Sequence, residues 1–95
     1  MSAYIIVDLE VTDPEKFAKY RELVEPLIEA HGGKYIVRGG KHEVLEGEWT
    51  PNRVVILEFD SISAAKKFWD SDDYEPVKQI RLATANSNII MVDGV

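Results

Sequence analysis

The triplet Arg38-Gly39-Gly40 carries the clearest chemical signal in this 95-residue chain. Arg38 ends an otherwise apolar run, Tyr35-Ile36-Val37, and its planar fork suits a carboxylate or an enolate. The two glycines let backbone amides approach a ligand, or equally serve a β-bulge with Arg38 in a salt bridge to Glu46 or Glu58. Asp8 and Glu58 form a second group, set on the faces that carry Tyr4, Ile6, Val54 and Ile56. Two carboxylates sharing a partly dry site would push one pKa up, the usual route to a general acid or base. Paired instead with Lys34 or Arg38, each is an ordinary ion pair. His42 follows the glycine pair and is a candidate base or axial haem ligand, or else a solvent-facing histidine at a sheet edge. With no second histidine or acid at ligand spacing, no metal site is expected. His31 closes a helix, where a cation meets the helix dipole favourably.

Other polar and aromatic residues support several readings. Trp49 is either a lid over a pocket mouth or an anchor on a partner chain. Ser87, like Asn86, either hydrogen-bonds a ligand or closes the turn into the last strand. Tyr20, Trp69 and Tyr74 read as core aromatics beneath the helices, with their polar ends reaching the surface. Neither glycine pair has phosphate-loop spacing, and no Ser, His and Asp set lies in a nucleophile-elbow context. Nucleotide cofactors are therefore not expected, and the cofactor expectation is none.

The elements that must position these residues can be read from periodicity. Ala3 to Val11 alternates as a strand, with Ile5, Val7, Leu9 and Val11 on one face and Tyr4, Ile6, Asp8 and Glu10 on the other. Asp13 and Pro14 start a helix, whose stripe runs through Phe17, Tyr20, Val24, Leu27 and His31. Pro26 predicts a kink near Glu22 to Glu25, and Gly32-Gly33 ends the helix. Lys34 to Arg38 is a strand with Tyr35 and Val37 opposite in facing to Ile36 and Arg38. His42 to Glu46 reads as a short extended arm, and the stretch to Asn52 as turns. Arg53 to Phe59 is a central strand, apolar on both faces. Asp60-Ser61 caps a helix with Ile62, Ala65, Phe68 and Trp69 on its apolar side. Ser71-Asp72-Asp73 interrupts it before a further helix, Tyr74 to Ala83, and Asn88 to Val92 closes the chain's strands.

The order is β-α-β-β-α-β with a split second helix, which predicts an α+β, ferredoxin-like subunit formed by residues 1–95 as one domain. A four-stranded antiparallel sheet carries its helices on one face. On this plan the first and third strands are taken as parallel neighbours, bringing Asp8 and Glu58 to the same end. The helix-facing sets are Ile5, Val7 and Leu9 with Val55, Leu57 and Phe59. The other face retains Tyr4, Ile6, Val54 and Ile56, plus either Ile89 with Met91 or Ile90 with Val92. A bare apolar patch of several hundred Å², roughly the largest that monomers carry, needs a cover. An identical chain related by a two-fold axis is the expected cover, in preference to the chain's own Gly39 to Pro51 arm.

Composition narrows the partners. The chain has 11 basic and 17 acidic residues, a formal net charge of −6, 45% hydrophobic residues and no cysteine. Negative charge of that size repels phosphate backbones and anionic lipid, so neither nucleic acid nor membrane is an expected partner. Without cysteine there are no disulfides, thiolate nucleophiles or iron–sulfur clusters. The first residues lack a basic region ahead of a long apolar run, and no ~20-residue apolar span occurs, so a cytoplasmic location is the default expectation.

Several segments in this order resemble the bacterial domain-of-unknown-function family 1330, within the dimeric α/β-barrel superfamily. They are Asp8-Leu9-Glu10-Val11-Thr12-Asp13-Pro14, His31-Gly32-Gly33, Arg38-Gly39-Gly40, Glu43-Val44-Leu45-Glu46-Gly47, Glu58-Phe59 and Ala85-Asn86-Ser87. The resemblance spans essentially the whole chain and implies a ferredoxin-like homodimer without implying an activity. The superfamily holds cofactor-free monooxygenases, lactone isomerases and haem proteins, so fold alone selects no chemistry. The resulting expectation is a small-organic-molecule binder with a pocket on the non-helical sheet face, lined by Arg38, Tyr4, Asp8, Glu58, Trp49 and Ser87. The alternatives are a cofactor-independent monooxygenase- or isomerase-like enzyme, with Asp8, Glu58 or His42 as base and Arg38 as anion stabiliser, and a purely structural dimerisation module.

Overall fold

A computed structural model describes all residues, 1–95. The chain runs β1 (Ala3–Val11), α1 (Pro14–Ala30), β2 (Lys34–Arg38), β3 (Val54–Phe59), α2 (Ile62–Trp69), α3 (Tyr74–Thr84) and β4 (Ala85–Asp93). The four strands form one sheet in the order β2-β3-β1-β4, with every neighbouring pair antiparallel. This is the ferredoxin-like plan with its second helix divided.

Local chemistry sets the helix ends. Asp13 accepts a hydrogen bond from the Lys16 amide at 3.1 Å, and Pro14 occupies the first helical turn of α1. The helix continues through Pro26 to Ala30. Its end is a Schellman turn: Gly32 has φ +78°, and the Gly33 amide donates to the Ile28 carbonyl at 2.9 Å. The His31 ring also caps this end, its Nδ1 donating to the Leu27 carbonyl at 2.9 Å. Ser71 separates α2 from α3 by serving both: its hydroxyl donates to the Phe68 carbonyl at 2.8 Å and accepts from the Tyr74 amide at 3.2 Å.

The core lies between the sheet and the helices. Tyr74, Phe59, Phe68 and Ile28 are its largest fully buried side chains. Phe59 stacks on Phe68 with ring centroids 5.5 Å apart, and Phe68 meets Tyr74 at 4.6 Å. From the sheet, Ile5, Leu9, Leu57 and Phe59 are buried, while Val7 and Val55 pack half-buried beside them. The two possible facings of β4 are resolved by its register. Ile89 lies opposite Val7 and Met91 opposite Ile5, on the helical face, whereas Ile90 and Val92 are 60% and 41% exposed on the other.

Two features differ from the sequence expectation, and both move polar groups. First, β1 and β3 are antiparallel neighbours: Tyr4 lies opposite Glu58 and Asp8 opposite Val54. The split β-α-β crossover makes β1 parallel to β2, with β3 inserted between them. Second, the β2–β3 register shifts between Tyr35 and Val37. The extra residue, Ile36, forms a bulge that reverses the facing of the residues after it. Val37 therefore lies opposite Ile56 on the bare face, and Arg38 opposite Val55 on the helical face.

Candidate functional site

The register separates the expected carboxylate pair. Asp8 and Glu58 share the bare face, but four residues along the strand part them by roughly 13 Å at ~3.3 Å per residue. Each has its own partners. Glu58 forms an ion pair with Lys34 at 3.3 Å and accepts a long hydrogen bond from the Tyr4 hydroxyl at 3.4 Å. Hydrogen bonding from Ser2, then the Lys34 ammonium, holds its carboxyl below the usual carboxylate range. That is the reverse of what a general base at neutral pH needs. Asp8 accepts from the Trp49 indole at 2.9 Å and from the Asn52 amide at 3.0 Å, so it pins the chain's long arm. Trp49 is otherwise 64% exposed, and His42 is exposed on the same arm.

Arg38 also leaves the expected cluster. Turned by the bulge to the helical face, it binds Glu25 of α1 at 2.5 Å and lies over the Tyr35 ring, 4.3 Å from its centroid. Hydrogen bonding to Glu25 raises the Arg38 pKa further, so the guanidinium stays charged. Arg38 thus borders an apolar cavity between the helices and the sheet, on the opposite side from the expected pocket.

About 70 Å³ of this cavity is open to water-sized occupants, and it opens to solvent at its mouth. A few waters or a small organic molecule fit such a space. Its floor is Ile5, Val7, Leu9, Val55, Leu57 and Ile89, and its roof includes Phe17, Tyr20, Val24 and Ile28 of α1. Trp69, Tyr74 and Arg81 close one side. The polar contribution to this wall is unusual. Arg21, Arg38, Arg53 and Arg81 all line the cavity, while no lysine or carboxylate does. These are all the arginines in the chain.

Arg81 is the buried member. Only 4% exposed, it belongs to the inward stripe of α3 with Tyr74, Val77 and Thr84. Its Nη1 donates to the Ser87 hydroxyl at 2.6 Å, and its Nε is buried without a hydrogen-bond partner. No carboxylate lies within 4.0 Å of it: the ion pairs are Lys19–Glu22, Lys34–Glu58 and Arg38–Glu25. The last-turn position on α3 favours a cation by ~0.3–2 kcal/mol, against a desolvation penalty of several kcal/mol for a buried ion. The Trp69 ring, 5.7 Å from the Arg81 Cζ, adds a cation–π contact, so the charge is compensated in part but has no anionic partner. Beside it, the Tyr20 and Tyr74 hydroxyls meet at 3.0 Å, inside the protein rather than at its surface. Burial, reinforced by Tyr74, raises the Tyr20 phenol well above its ordinary value.

Of the residues singled out from sequence, the structure brings Arg38 to the cavity rim and uses Ser87 to hold Arg81 from behind. Tyr4, Asp8, Glu58, Trp49 and His42 are not among the cavity's lining residues. Missed were Arg21, Arg53, Arg81 and the tyrosine pair. One signal was available: Arg81 falls on the same helical stripe as Tyr74 and Val77, a core position for a charged residue.

A family profile described as "Domain of unknown function (DUF1330)" matches residues 2–95. The chain belongs to the DUF1330 family. No curated protein matches this DUF1330 chain significantly. Among solved structures it is similar to RPA0582, a protein of unknown function from Rhodopseudomonas palustris, with TM-score 0.79, 20% identity, and 99% and 82% of the two chains covered. It is also similar to SnoaB, a cofactor-independent oxygenase from Streptomyces nogalater, with TM-score 0.68, 12% identity and coverage of 99% and 93%. A conserved protein from Methanosarcina mazei Go1 aligns with TM-score 0.59, 20% identity and coverage of 100% and 95%. At these identities the likeness concerns the DUF1330 fold alone.

Proposed function

We propose that this DUF1330 chain binds a small, flat, anionic organic molecule in the cavity between its helices and sheet. The observation that supports this is Arg81, a buried guanidinium with no carboxylate partner, set in an apolar, aromatic-walled space. A bound carboxylate or phenolate would satisfy the free donor and offset the charge, while the apolar walls would accept the ring. Titration calorimetry with 2-naphthoate and uncharged 2-methylnaphthalene tests the reading. The acid is expected to bind the wild type and to lose affinity at least about tenfold in Arg81→Met, as loss of a charge-assisted hydrogen bond predicts. Equal binding of the acid and the hydrocarbon would overturn it.

A second reading is a cofactor-independent oxygenase, the description carried by the structural neighbour SnoaB. Arg81 would then stabilise an enolate, and the tyrosine pair would orient it. The cavity wall argues against this as the first choice: it contains no histidine or carboxylate, and burial keeps the Tyr20 phenol protonated, so it offers no base. Oxygen uptake with an enolisable hydroxyarene, abolished in Arg81→Met, would promote it.

The working unit in this reading is a homodimer closed through the bare sheet face. Ile6, Val54, Ile56, Ile90 and Val92 leave that face apolar, and a second copy is the simplest cover.

A further inference from the structure

The four arginines do not surround the cavity evenly. Arg81 is held at β4 by Ser87, which lies opposite Leu9 of β1. On the other side of Leu9, its amide donates to the Arg53 carbonyl at 2.9 Å, ahead of β3. Two strand spacings, roughly 10 Å, therefore separate the backbone behind Arg81 from that of Arg53. Arg53 then reaches further toward β2, its guanidinium lying against Gly39, whose φ is +70°.

The charges differ in how they are neutralised. Glu25 answers Arg38, but Arg53 makes only a 3.5 Å hydrogen bond to the Arg38 carbonyl. Arg21 makes neither an ion pair nor a side-chain hydrogen bond, although it faces the same cavity. Arg21 stands one helical turn before Glu25 on α1, and Glu25 holds Arg38, so Arg21 belongs to the same side of the cavity as Arg38. Cations without a carboxylate partner thus stand on both sides of an apolar slot, Arg81 buried and Arg53 and Arg21 at its solvent-reached mouth.

We propose that the cavity takes a dianionic arene, one acid group on Arg81 and the other on Arg53 and Arg21, with the ring between them against the apolar floor. The proposal rests on the anion-binding reading above and specifies the ligand class. A two-ring arene with an acid at each end offers one anion to each side of the slot, whereas a monoacid leaves the mouth arginines unanswered.

The test compares 2-naphthoate with naphthalene-2,6-dicarboxylate by calorimetry at low salt, in the wild type and in Arg53→Gln, Arg21→Gln and Arg81→Met. The diacid is expected to bind the wild type about tenfold more tightly, the usual worth of one charge-assisted hydrogen bond. Arg53→Gln should weaken the diacid about tenfold more than the monoacid, and the more exposed Arg21→Gln should act in the same direction by a smaller factor. Arg81→Met should weaken both acids. If both acids bind equally and both need Arg81, the two-anion inference falls and the anion-binding reading survives. If neither acid binds, both fall.

Discussion

At the residue scale, Arg81 shows how a small domain tolerates a group that its stability does not favour. Its one hydrogen bond goes to Ser87, its Nε has no partner, and its charge has no counter-ion. Replacing such a group with an apolar side chain of similar length removes a desolvation cost. Arg81→Met should therefore stabilise the ligand-free protein by about 1–2 kcal/mol, raising Tm by ~4–8 °C per kcal/mol, even as it impairs anion binding. Thermal melts check this, and a clear drop in Tm would mark the guanidinium as structural instead. The neighbouring tyrosines yield a pH prediction. Burial raises the Tyr20 pKa above its ordinary 10.0, so the folded state favours the neutral phenol. That contribution is fully present below pH ~10 and is lost as pH rises from there toward the folded-state pKa. Tyr20→Phe should cost about 1 kcal/mol at pH 7 through the lost 3.0 Å hydrogen bond, yet show a shallower stability loss above pH 10. Melts from pH 7 to 11 measure both effects.

At the scale of elements, the short strand β2 and the arm after it decide which polar groups meet. The single-residue bulge at Ile36 delivers Arg38 to the cavity, because strand facing has a period of two and one extra residue inverts it. The arm is fixed at its far end by Asp8, which holds Trp49 and Asn52. Asp8→Ala should therefore loosen residues 41–52 while leaving the sheet intact. Hydrogen exchange and limited proteolysis should show faster reaction confined to that arm, with a global loss of only about 1 kcal/mol because these contacts are exposed. Gly33 tests the seam between α1 and the sheet. A β-carbon there would sit 2.6 Å from the Phe59 ring and 2.9 Å from the Ile28 side chain. Gly33→Ala should destabilise the fold by ~1–3 kcal/mol, the usual cost of overpacking a core, and denaturant titration would read it.

At the scale of the whole molecule, three helices packed behind one sheet cover one of its two faces. The uncovered face has Ile6 directly opposite both Ile56 and Ile90 at its centre. A stable pair of copies needs about 800 Å² from each partner. Ile56→Lys puts a charge in the middle of that face, where burial against a partner would leave it unpaired. The proposed homodimer predicts that sedimentation at micromolar concentration finds a dimer for the wild type and a monomer for Ile56→Lys. A wild-type monomer would overturn the proposal. The cavity lies on the other side of the sheet from this face, so a ligand-binding test and an assembly test can fail independently.

The element order, the helix-facing residues of β1 and β3 and the caps at Asp13 and Ser61 were legible in sequence, because each depends on neighbours within a few positions, and the family resemblance was legible as a series of short segments along the chain. The site was legible only in pieces. Asp8 and Glu58 looked like a pair because the first and third strands were taken as parallel; they run antiparallel, which parts the two carboxylates. Arg38 looked like a bare-face residue because alternation was carried straight through Ile36, and a bulge is invisible to a period of two. The convergence of Arg21, Arg53 and Arg81 on one apolar slot joins α1, the start of β3 and α3 across the chain. Charges that distant in sequence share a cavity only once the strands have paired and the helices have packed, so their convergence was decided by tertiary structure.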